Sequence, residues 1–214
     1  MKAIYTKIEN IDTDQIIPAR FLKKTGRDGF GEAMFHDWRF NGNGEVKEDS
    51  IFAPYENCSP EQRPAILVAG KNFGCGSSRE HAAWALADYG FKAVISSFFA
   101  DIFRNNALNN MLLPVQVSEG FLQKIFDTLQ QETGASIEID IANRCISLNG
   151  KGKETGKEGE DWESFPLGEY KQHCLLNRQK DIDYLVSTKE KIEQFENNRY
   201  DEKDCCFARR RHWP

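Results

Sequence analysis

The sequence predicts an α/β fold: a parallel sheet with crossover helices, some extra strands and a helical C-terminal segment. Three observations carry this. Between residues 65 and 132, short apolar runs alternate with segments of helical period, in the order strand, helix, strand, helix, strand, helix. Parallel strands joined by crossover helices produce that order. The run Ala65-Ile-Leu-Val-Ala69 is apolar throughout, which suits a strand covered on both faces. A chain of 214 residues, 40 % of them hydrophobic, is also long enough to bury a sizeable core.

Residues 2–8 alternate polar and apolar side chains and open the chain as a strand. Asp12-Thr-Asp14 marks a turn before Gln15-Ile-Ile-Pro18, and a short amphipathic segment covers 19–24. Thr25-Gly-Arg-Asp-Gly-Phe-Gly31 reads as a glycine-rich loop, followed by the aromatic, polar stretch 35–40. After the 65–69 strand come the glycines of 70–76. A helix then opens at Ser77-Ser78; its Ala82, Ala85, Leu86 and Tyr89 share one face, and Gly90 stops it. Residues 91–95 form a second buried strand. Residues 98–109 form a helix presenting Phe99, Ile102 and Phe103, and 112–117 a third strand. Phe121, Leu122, Ile125, Phe126 and Leu129 stripe a further helix. Residues 136–141 and 145–148 pair as strands across Ala142-Asn-Arg144, and the Gly- and charge-rich 149–159 is an exposed loop. Two late helices follow, near 167–176 and 181–196, the second striped by Ile182, Leu185, Val186, Ile192 and Phe195. The domain is expected to span 1–196, with 197–214 a flexible tail.

Lys and Arg number 28 against 33 Asp and Glu, a formal charge of −5 that argues against a nucleic-acid partner. No apolar run approaches the roughly 18 residues of a membrane span, and the first residues lack a secretory h-region. A cytoplasmic protein is expected. The last 65 residues carry 13 Lys and Arg and 14 Asp and Glu, so a buried site is expected in the charge-poor front of the chain. The six cysteines (58, 75, 145, 174, 205 and 206) show no CxxC pair and no zinc-type spacing with histidine. Reduced thiols and no metal site are the expectation. Cys205-Cys206 and Arg209-Arg-Arg211 fall in the tail.

The segment with chemical content is Gly70-Lys-Asn-Phe-Gly74-Cys-Gly76-Ser77-Ser78-Arg79-Glu80-His81-Ala82, at the end of one strand and the start of a helix. Open α/β sheets bind ligands at that place. Its glycines let backbone N–H groups approach an anion, the helix start attracts negative charge, and Arg79 offers a planar fork. The Gly-Lys-Ser/Thr of a phosphate-binding P-loop, the G-x-G-x-x-G spacing and the G-x-S-x-G elbow are all absent. By spacing alone the segment is either an anion site or a capped helix with Ser77 or Ser78 as N-cap.

Residues 69–82 closely resemble the signature of the mobile swivel domain of the aconitase superfamily, and within it that of the small subunits of 3-isopropylmalate dehydratase. Asn10-Ile-Asp-Thr-Asp-Gln-Ile-Ile-Pro18, Asp88-Tyr-Gly-Phe-Lys-Ala-Val-Ile95, Phe99-Ala-Asp-Ile-Phe103, Leu112-Leu-Pro114, Gly168-Glu-Tyr-Lys171 and Cys174-Leu-Leu-Asn177 extend the similarity over residues 1–185. The resemblance implies the swivelling β/β/α fold and a hydro-lyase that interconverts 2- and 3-isopropylmalate in leucine biosynthesis. It implies no cofactor on this chain. A [4Fe–4S] cluster is expected on a separate iron–sulfur large subunit, the heterodimer partner, without which this chain is inactive.

By position in the motif, Ser77 is the implied base, and Ser78 and Arg79 hold a substrate carboxylate. Asp14 takes a proton-network or orienting role, or caps a turn together with Asp12. Arg27 falls where a substrate-binding arginine is expected, and Gly74, Cys75 and Gly76 form the anion-binding loop. His81 is expected to be structural. Two rivals stand beside this reading: the swivel subunit of a homoaconitase or another alkylmalate hydratase, and a non-catalytic anion-binding module. The similar chains commonly continue Gly-Leu-Asp-Asp-Ile after Asn177; here Arg178-Gln-Lys-Asp-Ile182 stands instead, which bears on the local turn.

Overall fold

The computed structural model describes residues 2–23, 26, 29–131, 135–154 and 156–197. The chain divides into two compact units, residues 1–172 and 173–214. The cysteine pair and the arginine run of the tail lie outside the described residues.

The first unit runs β1 (Ala3–Tyr5), α1 (Thr13–Ile16), α2 (His36–Arg39), β2 (Ile66–Val68), α3 (Glu80–Tyr89), β3 (Ala93–Ser96), α4 (Asp101–Asn109), β4 (Leu113–Gln116) and α5 (Glu119–Gln131). It continues with β5 (Ile137–Asp140), β6 (Cys145–Leu148), β7 (Trp162–Ser164) and the start of α6 (Glu169–Asn177). Strands β1-β2-β3-β4 form a parallel sheet in chain order, and β5-β6-β7 an antiparallel one.

Successive residues of a strand face opposite sides, and the two rows of the parallel sheet have different neighbours. Ile4, Leu67 and Val94 lie in register and belong to a core that includes Ala82 and Leu86 of α3 and Phe103 of α4. The alternate row contains Tyr5, Val68, Ile95 and Val115, and the Tyr5 ring meets Phe126 of α5 at 6.0 Å. Both faces are therefore covered, which is why β2 and β3 are buried along their whole length. Each fully buried aliphatic or aromatic side chain contributes roughly 1.5–3 kcal/mol.

Between β1 and β2 the chain makes a long excursion that is anchored by one charged side chain. Arg39 is 4 % exposed. It donates through Nε and Nη2 to both carboxylate oxygens of Glu56, each at 2.6 Å, and through Nη1 to the carbonyls of Gly31, Glu32 and Met34. A buried cation is tolerable only when nearly all its donors are used in this way. The excursion rests on α3: Gly31 N–H donates to Asp88 Oδ2 at 2.7 Å, and a Cβ on Gly31 would stand 2.6 Å from the Tyr89 nitrogen.

Several expectations are corrected. The helix after the glycine loop begins at Glu80, with Arg79 as an extended N-cap (φ −131°, ψ 105°) and no side-chain cap. Ser77 and Ser78 remain in the loop because Thr13 Oγ1 holds the Ser77 carbonyl at 2.8 Å, away from a helical course. The next helix begins at Asp101, and Ile102 is 52 % exposed; its buried face is Phe103 and Ala107. Phe99 is buried ahead of that helix, where Phe73 O accepts from Ala100 N–H at 3.1 Å. β7 was not foreseen; it pairs with β6 across the long polar loop. In the second unit, α7 (Asp181–Ser187) carries Ile182, Leu185 and Val186 exposed, not packed as a stripe. The turn after Asn177 forms with Arg178 in the left-handed region (φ +52°), and Gln179 N–H donates to Cys174 O at 2.9 Å.

Candidate active site

The loop 70–79 leaves the C-terminal end of β2 and is stitched on both sides. Toward the β1 side, Gly74 N–H donates to Ile11 O (2.7 Å) and Thr13 N–H to Cys75 O (2.9 Å). Toward the β3 side, Phe73 N–H donates to Phe98 O at 3.0 Å. Three loops that follow three parallel strands thus share one rim, where helix starts and strand ends concentrate free backbone groups.

Two glycines make the loop possible. Gly74 has φ +75°, and a Cβ there would stand 2.2 Å from Cγ of the buried Phe103. Gly76 has φ +89° and faces Asp12, with room to 3.3 Å. Left-handed backbone at both positions turns the chain so that Gly76, Ser77, Ser78 and Arg79 follow with N–H groups that donate to no described residue.

The two aspartates of the Asp12-Thr-Asp14 turn have separate tasks. Asp12 caps α1: its Oδ1 accepts from Gln15 N–H at 2.8 Å, and Gln15 Oε1 accepts from Asp12 N–H at 3.0 Å. Asp14 instead pairs with Nη1 of Arg79, which also reaches the Ile17 carbonyl at 3.4 Å. The Arg79 side chain is only 16 % exposed, whereas Asp14 is 53 % exposed. Nε and Nη2 of Arg79 donate to no described residue and keep a planar edge for a further oxyanion.

Ser77 is exposed, and its hydroxyl makes no hydrogen bond with a described residue. It stands with Arg79 at a pocket of ≈ 270 Å³ whose walls include Thr13, Gly76, Asp101 and Phe103. Ser78 is exposed beside it without lining that pocket. Cys75 is half-buried, and burial first, then the Asp12 charge, pushes its thiol above the ordinary range, so it is a poor thiolate. His81 packs as an aromatic, 5.3 Å from the Phe30 ring and 4.6 Å from Trp84, as a structural residue does. Arg27 lies outside the described residues.

Sequence reasoning missed Thr13 and Asp101. Thr13, 2 % exposed, ties α1 to the serine loop, and Asp101 opens α4 on the pocket wall. Thr13 lies between the two aspartates already singled out, and Asp101 within the Phe99–Phe103 match, but neither has a local signal of its own.

The profile of the aconitase C-terminal domain family matches residues 2–120. The 3-isopropylmalate dehydratase small subunit of Cytophaga hutchinsonii is 53 % identical over 189 residues, 88 % of this chain and 88 % of its own. This chain belongs to the 3-isopropylmalate dehydratase small-subunit family. The small subunit of Christiangramia forsetii is 51 % identical over 89 % of this chain and 87 % of its own length. The crystal structure of 3-isopropylmalate dehydratase from Methanocaldococcus jannaschii superposes with a TM-score of 0.56 at 27 % identity, covering 92 % of this chain and 96 % of that one.

Membership raises the question of an iron–sulfur cluster. Among the described residues of this small-subunit chain, no group of three or more His, Cys, Asp or Glu side chains is placed to hold a metal ion. Cys145 and Cys174 are buried singly. The described residues do not fit a cluster, and no helix among them is long and apolar enough to cross a membrane.

Proposed function

We propose that this chain is the small subunit of an isopropylmalate isomerase, the hydro-lyase that interconverts 2- and 3-isopropylmalate in leucine biosynthesis. On this reading it is cytoplasmic, its working module is residues 1–196, and it acts with a large subunit that carries the cluster. The cluster's Lewis-acid chemistry belongs to that partner; this chain supplies a base and an anion clamp.

Dehydration needs a weakly acidic C–H proton removed next to the carbon that loses hydroxide. Ser77 Oγ is the group that takes it. A free serine hydroxyl does not ionise near neutrality, so its surroundings must favour the anion. The N–H groups of 76–79, which donate to no described residue, the start of α3 and the Arg79 guanidinium all act in that direction. The free edge of Arg79 grips a substrate carboxylate, with Ser78 beside it, and Asp14 orients the fork. Arg27 would complete the clamp from the glycine-rich loop. The supporting observation is the exposed Ser77 hydroxyl, without a hydrogen bond to any described residue, sharing one pocket with Arg79.

The test is reconstitution with the cluster-loaded large subunit, followed through the absorbance of isopropylmaleate. Ser77→Ala should assemble normally and lose roughly 10²–10⁴ in kcat, the range for one acid–base group. Full activity in that variant sinks the base assignment. Turnover of another alkylmalate but not 2-isopropylmalate would move the substrate, and no turnover of any hydroxy-diacid would leave only an anion-binding module.

A further inference from the structure

Away from the serine loop, Arg104, Arg144 and Lys153 line one recess of ≈ 580 Å³ that contains no carboxylate. Arg104 Nη2 donates to Pro166 O at 3.3 Å and Arg144 Nη1 to Leu167 O at 3.3 Å, so two guanidinium groups are tethered to consecutive carbonyls. Lys153 Nζ donates at 3.3 Å to the carbonyl of Asn143, the residue preceding Arg144. None of the three forms an ion pair with a described residue.

Lys153 feels the charge of the Asp140 carboxylate, and its Nζ sits 5.2 Å from the centroid of the Trp162 ring, but the carboxylate's hydrogen bonds go to Asn143. Asp140 accepts from Asn143 N–H and Nδ2 at 2.9 and 2.7 Å, and Glu158 from Ser164 Oγ at 3.3 Å. In a chain of net charge −5, two arginines without an ion pair among the described residues stand in one recess with a lysine that only Asp140 partly balances. A bound anion would relieve the repulsion that remains among them. Arg144 also occupies the left-handed region at φ +51°, where glycine or asparagine is the ordinary choice and a long side chain carries strain.

We propose that this recess is a second anion site, independent of the Ser77–Arg79 loop, that takes a doubly charged oxyanion of the phosphate class. Two planar forks and one ammonium arrive from three directions: α4, the β5–β6 turn and the 151–154 segment. That arrangement suits a tetrahedral oxyanion better than one planar carboxylate.

The experiment titrates inorganic phosphate into the 214-residue chain at constant ionic strength, reading ³¹P line width and the Arg and Lys side-chain resonances. A saturable response is expected, at least tenfold weaker in Arg104→Gln/Arg144→Gly and unchanged in Arg79→Gln. Glycine is at home at φ +51°, so Arg144→Gly alone removes one cation without endangering the fold, and its thermal midpoint checks this. Glycerol phosphate distinguishes sources: tighter binding than inorganic phosphate assigns the site to an ester, weaker binding to the free ion, and either supports the proposal. A response that chloride reproduces, that survives in the double variant, or that vanishes with Arg79 overturns it. A silent phosphate titration combined with weaker large-subunit binding in the double variant also overturns it, in favour of an acidic protein segment.

Discussion

Replacing Gly74 by alanine asks two separate things of the active-site loop. The backbone at φ +75° must carry a Cβ, which costs about 1–2 kcal/mol in the left-handed region. That Cβ would also stand 2.2 Å from Cγ of Phe103 and 2.5 Å from its Cβ. Phe103 has nowhere to go: it is 1 % exposed and packed edge-on to Phe73 at 5.1 Å and stacked with Phe99 at 6.3 Å. Forcing a methyl into such a core costs about 1–3 kcal/mol. The two terms predict a loss of roughly 2–5 kcal/mol for Gly74→Ala. Gly76→Ala is the internal control, since φ +89° strains it similarly but its Cβ would meet Asp12 no closer than 3.3 Å. It should lose only about 1–2 kcal/mol. Urea unfolding followed by circular dichroism reads both, with an unchanged m-value showing that the difference is stability. Equal losses in the two variants, or a Gly74→Ala loss below about 1 kcal/mol, would refute the claim that contact with Phe103 sets the loop.

Three further outcomes follow from the same contacts. Asp14→Asn should leave assembly intact and lower kcat/KM roughly five- to tenfold, mainly through KM, because Arg79 loses the carboxylate that orients it; unchanged steady-state kinetics would remove Asp14 from the site. Burial pushes the Tyr89 phenol from 10.0 up to about 12, so an unfolded chain releases its proton near pH 10 while the folded one keeps it. Stability should therefore fall by roughly 2–3 kcal/mol between pH 10 and 12, and Tyr89→Phe should flatten that part of the unfolding profile. Arg178→Gly should raise stability by roughly 0.5–1 kcal/mol in thermal unfolding, because glycine accepts φ +52° without a Cβ penalty.

The strands and helices between 65 and 131 were legible because each has a strong period, and because glycines and short apolar runs mark their ends. β7 was not: it is three residues of mixed polarity whose only reason to be a strand is β6 beside it. Ile102 illustrates the same limit in reverse. Its helical spacing with Phe99 and Phe103 suggested a buried face, but the helix begins two residues after Phe99, and the face turns accordingly. Arg178 shows a turn that tertiary and local hydrogen bonds maintain although the residue most suited to it is missing.

At the site, the residues themselves announced the chemistry: a glycine-rich loop after a buried strand, two serines and an arginine fork are readable one after another. Which of them meet could not be read along the chain. That Asp12 caps a helix while Asp14, two positions on, reaches 65 residues to Arg79 depends on the register of two loops. That register is set by hydrogen bonds between residues 11–13 and 74–77. Local sequence determines what a loop is able to bind, because donors and charges belong to residues. Tertiary structure alone decides which donors remain unspent, because that depends on every other group competing for them.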